Sequence, residues 1–219
     1  MINGDSIRQT SLEIEPYRYA VIKDFLNHST IEKLLNHFPK ENYYRSSRNY
    51  GSDKTYNVVN NTLLKLGEKK YNPESNLTFP WIQLVEELQG EKYIKELSFL
   101  LQENLQSCYQ EITLKKYGVN DFISAHTDKS DVVATHMLFL NEVWDEGWGG
   151  QLCIMKNTEE IITKVLPLYL NSVAFVRSNN SWHSVEKITE PKAERVAIQV
   201  AFWRTKDRKV LSGRFDETL

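Results

Sequence analysis

The sequence predicts a mainly β protein with helices confined to its N-terminal half, an α+β arrangement whose β part forms a sandwich or a barrel. Three observations carry this. Apolar residues at helical spacing occur before residue 106, and from Gln110 onward almost every segment alternates or runs as a short apolar stretch. Turn-forming residues separate those stretches at near-regular intervals, the pattern of many short strands. The final stretch, Arg195 to Trp203, alternates between two chemically different faces.

The elements follow in order. Residues 17–26 read as a strand running into a turn. Ser29-x-x-Glu32 has the form of a capping box, and Ile31, Leu34, Leu35 and Phe38 give the following helix one apolar stripe that Pro39 ends. Residues 41–62 mix Tyr43, Tyr44, Arg45, Arg48, Tyr50, Lys54 and Tyr56 with Asn, Ser and Gly, and no period is visible. The segment is expected to be irregular: either a solvated loop or a lid whose Arg45 and Arg48 bind a substrate carboxylate. Pro80 to Leu88 predicts a helix anchored by Trp81. Gly90 separates it from a second helix, Glu91 to Leu105, with Ile94, Leu97, Leu101 and Leu105 on one side. Gln110 to Tyr117 alternates as a strand. Further strands are expected at 134–140, 151–155, 161–165, 172–176, 183–188 and 195–203.

Composition excludes several classes. Hydrophobic residues make up 41% and charged residues 26%, an ordinary globular balance, and the net charge of −2 gives no general attraction to nucleic acid or anionic membrane. Cys108 and Cys153 are too few for a disulfide framework. The start of the chain lacks the pattern of a signal peptide, and no apolar run approaches the roughly 20 residues that span a bilayer. A cytoplasmic location is the expectation, with no nucleic-acid partner and no membrane. The oligomeric state is not legible.

The chemistry concentrates in Ile123-Ser124-Ala125-His126-Thr127-Asp128. On a strand, His126 and Asp128 project to one side and supply two ligands of a 2-His-1-carboxylate set that holds Fe(II) and leaves other positions open. The third is a distant histidine, for which His183 is the candidate. Arg195 follows it and opens the last strand, on the small, polar face shared with Ala197, Gln199 and Ala201. An Arg at the inner end of such a strand is an expensive buried cation unless a carboxylate ligand pairs with it. His136 is a competing ligand, but alternation with an inward Phe139 sends it outward, to packing or surface. His28 and His37 are expected to face solvent.

The stretch from Lys115 to Arg204 resembles the 2-oxoglutarate- and Fe(II)-dependent dioxygenases, in their prolyl-4-hydroxylase-like branch. The matching residues are Lys116-Tyr117-Gly118, His126-Thr127-Asp128, Phe139-Leu140-Asn141, Trp148-Gly149-Gly150-Gln151-Leu152, His183 and Arg195-Val196-Ala197-Ile198. The resemblance implies a double-stranded β-helix, or jelly-roll barrel, over 108–204, buttressed by a helical and mixed part over 1–107, all within one domain. It implies Fe(II) on His126, Asp128 and His183, and 2-oxoglutarate held by Arg195 with Tyr117 and Gln199. O2 is a further requirement and ascorbate an optional addition. A C–H bond of a prolyl residue or an amino-acid-like small molecule would be hydroxylated, with release of succinate and CO2. Asp128 leaves no ligand position for chloride, which favours hydroxylation over halogenation.

Phe139 departs from the tyrosine expected there, a loss that Tyr117 or Gln199 would compensate. Trp148-Gly149-Gly150 is expected to be structural, and Trp144 and Trp182 either line the substrate opening or serve as buried anchors. The basic run 204–209 reads as a solvated end or a contact. The alternatives to a hydroxylase are a nucleic-acid demethylating dioxygenase of the same fold and a non-catalytic jelly-roll binding module.

Overall fold

A computed structural model describes residues 1–51, 54–207 and 214–219. Its helices are α1 (Gly4–Gln9), α2 (His28–Asn36), α3 (Phe79–Gln89) and α4 (Glu91–Leu101). Its strands are β1 (Tyr19–Lys23), β2 (Tyr44–Arg48), β3 (Tyr56–Leu64), β4 (Tyr109–Tyr117), β5 (Phe122–His126), β6 (Val132–Phe139), β7 (Leu152–Met155), β8 (Ile161–Val165), β9 (Asn171–Val176), β10 (Trp182–Val185), β11 (Arg195–Trp203) and β12 (Phe215–Thr218).

The strands form two antiparallel sheets facing each other. One runs β1-β9-β6-β11-β4-β3 and the other β5-β10-β7-β8. β3 joins them, pairing with β4 through Val59 to Leu64 and with β5 through Tyr56 and Asn57. This is the jelly-roll barrel the resemblance implied.

Alternation along β11 separates two cores. Val196, Ile198, Val200 and Phe202 join the layer that holds Trp81, Leu84, Leu97 and Leu101 of α3 and α4. Ala197 points the other way, into the space between the sheets, with Met137, Phe139, Val173 and Phe175. β6 is buried along its whole length because both of its faces are covered.

Three expectations need correction. First, residues 41–62 are not irregular throughout. β2 and β3 pair in register from Tyr44↔Asn60 to Arg48↔Tyr56 and extend the sheet. Polar composition hid these strands: Asn60 and Asn61 are buried, Asn60 Nδ2 donating to Ser46 Oγ at 3.2 Å and Asn61 Nδ2 to the Glu41 carbonyl at 2.8 Å. Second, α2 starts one residue ahead of Ser29. Asn27 caps it, its Oδ1 accepting from Thr30 N at 2.8 Å, while Ser29 only donates to that same oxygen. Third, α4 ends at Leu101, where Gln102 turns left-handed (φ 52°), and Leu105 packs from beyond the helix.

In the basic run 204–209, Arg204, Lys206 and Asp207 are exposed, as expected of a solvated segment. β12 returns to pair with β2 from Phe215↔Ser47 to Thr218↔Tyr44. Of the basic run, Arg208 and Lys209 lie outside the described residues. Among the described residues no helix is long and apolar enough to cross a membrane.

Candidate metal centre

The register of β5 and β10 assembles the site. His183 lies directly opposite His126, so a residue 57 positions downstream becomes a neighbour. β5 ends at His126, and Asp128 follows in the turn toward β6. The ring centroids of His126 and His183 are 4.2 Å apart. Asp128 Oδ1 stands 3.7 Å from His126 Nε2 and 3.8 Å from His183 Nε2. One ligand atom from each residue lies within 4.8 Å of the other two, the spacing of donors around a shared ion.

Local hydrogen bonds aim these donors. His126 Nδ1 donates to the Ser124 carbonyl at 2.9 Å, and His183 Nδ1 to the Ser181 carbonyl at 3.0 Å. Each bond fixes the tautomer and leaves Nε2 with a lone pair. Thr135 Oγ1 donates to Asp128 Oδ2 at 2.8 Å, which leaves Oδ1 turned to the imidazoles.

Protonation favours binding too. Burial, with the charges of Lys54 and His183, pushes His126 down to about 3. Burial likewise lowers His183. Burial alone raises Asp128, but His126, His183 and Lys54 outweigh it and hold the carboxyl below its usual range. Two neutral imidazoles and one carboxylate are the ligand forms a ferrous ion takes.

Beside Tyr117, a residue of the cavity wall, lies Arg195, 0% exposed, with no hydrogen-bond partner for any guanidinium nitrogen among the described residues. It pairs in register with Tyr117 and sits 4.7 Å from that ring and 5.1 Å from the Phe139 ring. The Tyr117 hydroxyl is also buried without a partner, and burial pushes it up to about 12 against the pull of Arg195, so it stays a donor. A buried guanidinium fork beside an unmatched hydroxyl is a receptor for a carboxylate. The residues present therefore fit Fe(II) together with a diacid such as 2-oxoglutarate.

The cavity at the cluster is lined by Tyr117, His126, Asp128, Thr135, His183 and Gln199, among others. The four expected substrate residues do not line it. Arg45 Nη1 donates to buried Asp121 Oδ1 at 2.7 Å, a structural pair. Arg48 donates to the Lys54 carbonyl at 2.9 Å and braces the β2–β3 connection. Trp144 Nε1 donates to the Gly149 carbonyl at 2.8 Å, so it is a buried anchor. Trp182 alternates with His183 on β10 and so faces away from the cavity.

His136 is indeed turned outward from the site, into the helix–sheet core, bonded to Tyr93 and Ser172. Gly149, with φ 73°, lies so close to the Lys187 carbonyl that a Cβ would stand 2.1 Å from that oxygen, which is why glycine is needed there. Sequence reasoning missed Thr135 and Lys54 as site residues. Alternation with Met137 and Phe139 marked Thr135 as inward, but its bond to Asp128 depends on how the turn folds back.

Comparison with known proteins agrees with this geometry. Residues 112–203 match the family model described as 2OG-Fe(II) oxygenase superfamily. No curated protein matches the chain. Among solved structures, the chain is similar to a prolyl-4-hydroxylase from Pseudomonas putida at 15% identity, covering 92% of this chain and 96% of that one, with a TM-score of 0.57. It is similar to a 2OG-Fe(II) oxygenase family oxidoreductase from Burkholderia pseudomallei at 13% identity, covering 85% of each chain, with a TM-score of 0.59. A prolyl hydroxylase from Trichoplax adhaerens, solved with a hypoxia inducible factor oxygen degradation domain peptide fragment, is 14% identical, covers 92% of this chain and 87% of its own, and has a TM-score of 0.52.

Proposed function

We propose, on the premise that residues 112–203 form a 2OG-Fe(II) oxygenase superfamily core, that this chain hydroxylates a C–H bond of a prolyl residue or of an amino-acid-like small molecule. The protein is an enzyme of the dioxygenase class, and the family implies Fe(II), 2-oxoglutarate and O2. The observation that carries the reading is the buried His126–Asp128–His183 cluster in one cavity with Tyr117, beside which stands an unpaired, fully buried Arg195.

When bound, ferrous iron with 2-oxoglutarate and O2 supplies the oxidising power that side chains lack: CO2 leaves, one oxygen atom ends in succinate and the other in the new hydroxyl. His126 and His183 would hold the ion through Nε2 and Asp128 through Oδ1, with ring orientations set by the Ser124 and Ser181 carbonyls. Arg195 would bind the distal carboxylate of 2-oxoglutarate as a fork, and the protonated Tyr117 hydroxyl would donate to the same group. Phe139 covers the guanidinium without bonding, so Tyr117 takes over the role of the missing hydroxyl. Met137, Leu152 and Phe175 wall the cavity and limit access of water.

The test is anaerobic loading with Fe(II) and 2-oxoglutarate, then oxygen, with succinate release followed across prolyl peptides and free amino acids. His126→Ala is expected to reduce 2-oxoglutarate consumption to background and to weaken Mn(II) binding measured by calorimetry. Consumption at the wild-type rate in His126→Ala would refute the reading.

A further inference from the structure

We propose that the N-terminal segment Pro16–Tyr17 is part of the metal centre, and that Tyr17 positions His183 for the ion. This rests on the dioxygenase reading and adds a positioning residue to its site.

The two imidazoles are held from different places. The carbonyl that accepts from His126 Nδ1 belongs to Ser124. Thr55 fixes that residue twice: Ser124 N donates to the Thr55 carbonyl at 2.9 Å, and Thr55 N donates to Ser124 Oγ at 2.9 Å. The carbonyl that accepts from His183 Nδ1 belongs to Ser181, just ahead of β10. The residues on both sides of Ser181 are tied to the N-terminal segment. Tyr17 Oη donates to the Trp182 carbonyl at 2.9 Å, and Asn180 Nδ2 donates to the Pro16 carbonyl at 2.8 Å. Partners 165 and 164 positions away in sequence thus bracket the carbonyl that sets the tautomer of the third ligand.

A ring contact reaches the same imidazole. Tyr17 meets Phe175 edge-on, with centroids 6.4 Å apart and planes at 71°, and the Phe175 centroid lies 4.5 Å from that of His183. Phe175 is held in turn by the residues that follow Tyr17. Val176 N donates to the Arg18 carbonyl at 3.0 Å, and Tyr19 pairs in register with Phe175.

Packing alone would need only the ring of Tyr17; its hydroxyl serves the Trp182 carbonyl. Tyr17 is 4% exposed, which leaves little water to replace that bond. Burial, then Tyr19 and Asp128, push the hydroxyl above the ordinary tyrosine range, so it remains a donor.

The experiment uses the full chain. Mn(II) affinity is measured by calorimetry, the visible absorption of the Co(II)-loaded protein is recorded, and the Tm is taken without metal. Tyr43→Phe is the matched control, a buried tyrosine of the helix–sheet core whose hydroxyl donates to the Pro39 carbonyl at 2.8 Å. Tyr17→Phe and Tyr43→Phe each lose one such bond and are expected to lower the Tm by similar amounts. Tyr17→Phe alone is expected to shift the Co(II) bands and to weaken Mn(II) by about ten-fold, the lower end of the range for groups that orient metal ligands. Asn180→Ala removes the second tie from an exposed position and is expected to weaken Mn(II) by a smaller factor, because the Tyr17 bond remains. Wild-type affinity and bands in Tyr17→Phe, or an equal loss of affinity in Tyr43→Phe, would overturn the inference and leave the dioxygenase reading standing. If Tyr17→Phe does not fold, Asn180→Ala decides, and an unchanged affinity there overturns the inference. A wild-type protein that binds neither Mn(II) nor Co(II) would overturn the dioxygenase reading and this inference together.

Discussion

A carboxylate offers two oxygens, and a metal site gains when one is held so that the other is aimed. Thr135 does this for Asp128: its hydroxyl holds Oδ2 at 2.8 Å while Oδ1 faces both imidazoles. Thr135 is 2% exposed, so nothing from solvent replaces the bond when it is lost. Thr135→Val keeps the shape and removes the donor, and it is expected to weaken Mn(II) binding by about ten-fold, in the range found for groups that orient metal ligands. Thr135→Ser is expected to restore most of the affinity. Equal calorimetric affinities in the wild type and both variants would show that Asp128 needs no such support. At this scale the sequence was uneven. His126, Asp128, His183 and Arg195 were legible because their spacing is a motif. Thr135 and Lys54 were not, because an ordinary threonine or lysine gains its role only when a turn folds it onto a motif residue.

Among the elements, β11 was legible from Arg195 to Trp203 because a strand with two covered faces of different chemistry leaves a period-two record. The β2–β3 hairpin was not, because Ser46, Arg48, Asn60 and Asn61 sit among its buried positions and break the apolar pattern, Asn60 bonding to Ser46 across the hairpin. His136 shows the same concealment between elements. It lies on β6, with Nδ1 at 2.9 Å from the Tyr93 hydroxyl of α4 and Nε2 at 3.0 Å from the Ser172 hydroxyl of β9. Both partners are hydroxyls, which donate or accept, so a neutral imidazole is fully satisfied and ties a helix to two strands.

Burial pushes His136 down to about 3, well below the ordinary value of 6.5. The unfolded chain therefore takes up a proton that the folded chain refuses. The stability His136 contributes is present above pH 6.5 and is lost as pH falls toward 3, with a slope of up to about 1.4 kcal/mol per pH unit. His126 titrates in the same window, so the contribution is isolated by difference. His136→Gln keeps one donor and one acceptor and titrates nowhere. It is expected to be less stable than the wild type at pH 7 but to show a flatter decline between pH 6.5 and 4.5 in urea unfolding. Parallel declines would mean that the buried imidazole carries a proton in the fold.

Across the whole molecule, one core joins the helices to the larger sheet, and a second fills the space between the sheets. The second core is interrupted by a partly polar cavity at the His–Asp–His cluster, with Arg195 buried beside Tyr117 of its wall. Burying a guanidinium with no hydrogen-bond partner opposes folding unless a ligand completes it. Burial lowers the basicity of Arg195, as expected of a cation held away from water. Stability and cosubstrate binding are thus coupled through a single side chain.

In the wild type, 2-oxoglutarate with Mn(II) is expected to raise the Tm, because a ligand at a hundred times its Kd contributes about 2.7 kcal/mol. Arg195→Met fills similar space without a charge. Its Tm without ligand is expected to equal or exceed that of the wild type, since apolar replacement of a buried charge is often neutral or stabilising by about 1–4 kcal/mol. The same variant is expected to lose the part of the Tm rise that depends on 2-oxoglutarate while keeping the part that depends on Mn(II). A variant that is strongly destabilised without ligand, yet still gains the full rise with 2-oxoglutarate, would show that Arg195 is a structural cation and that the diacid binds elsewhere.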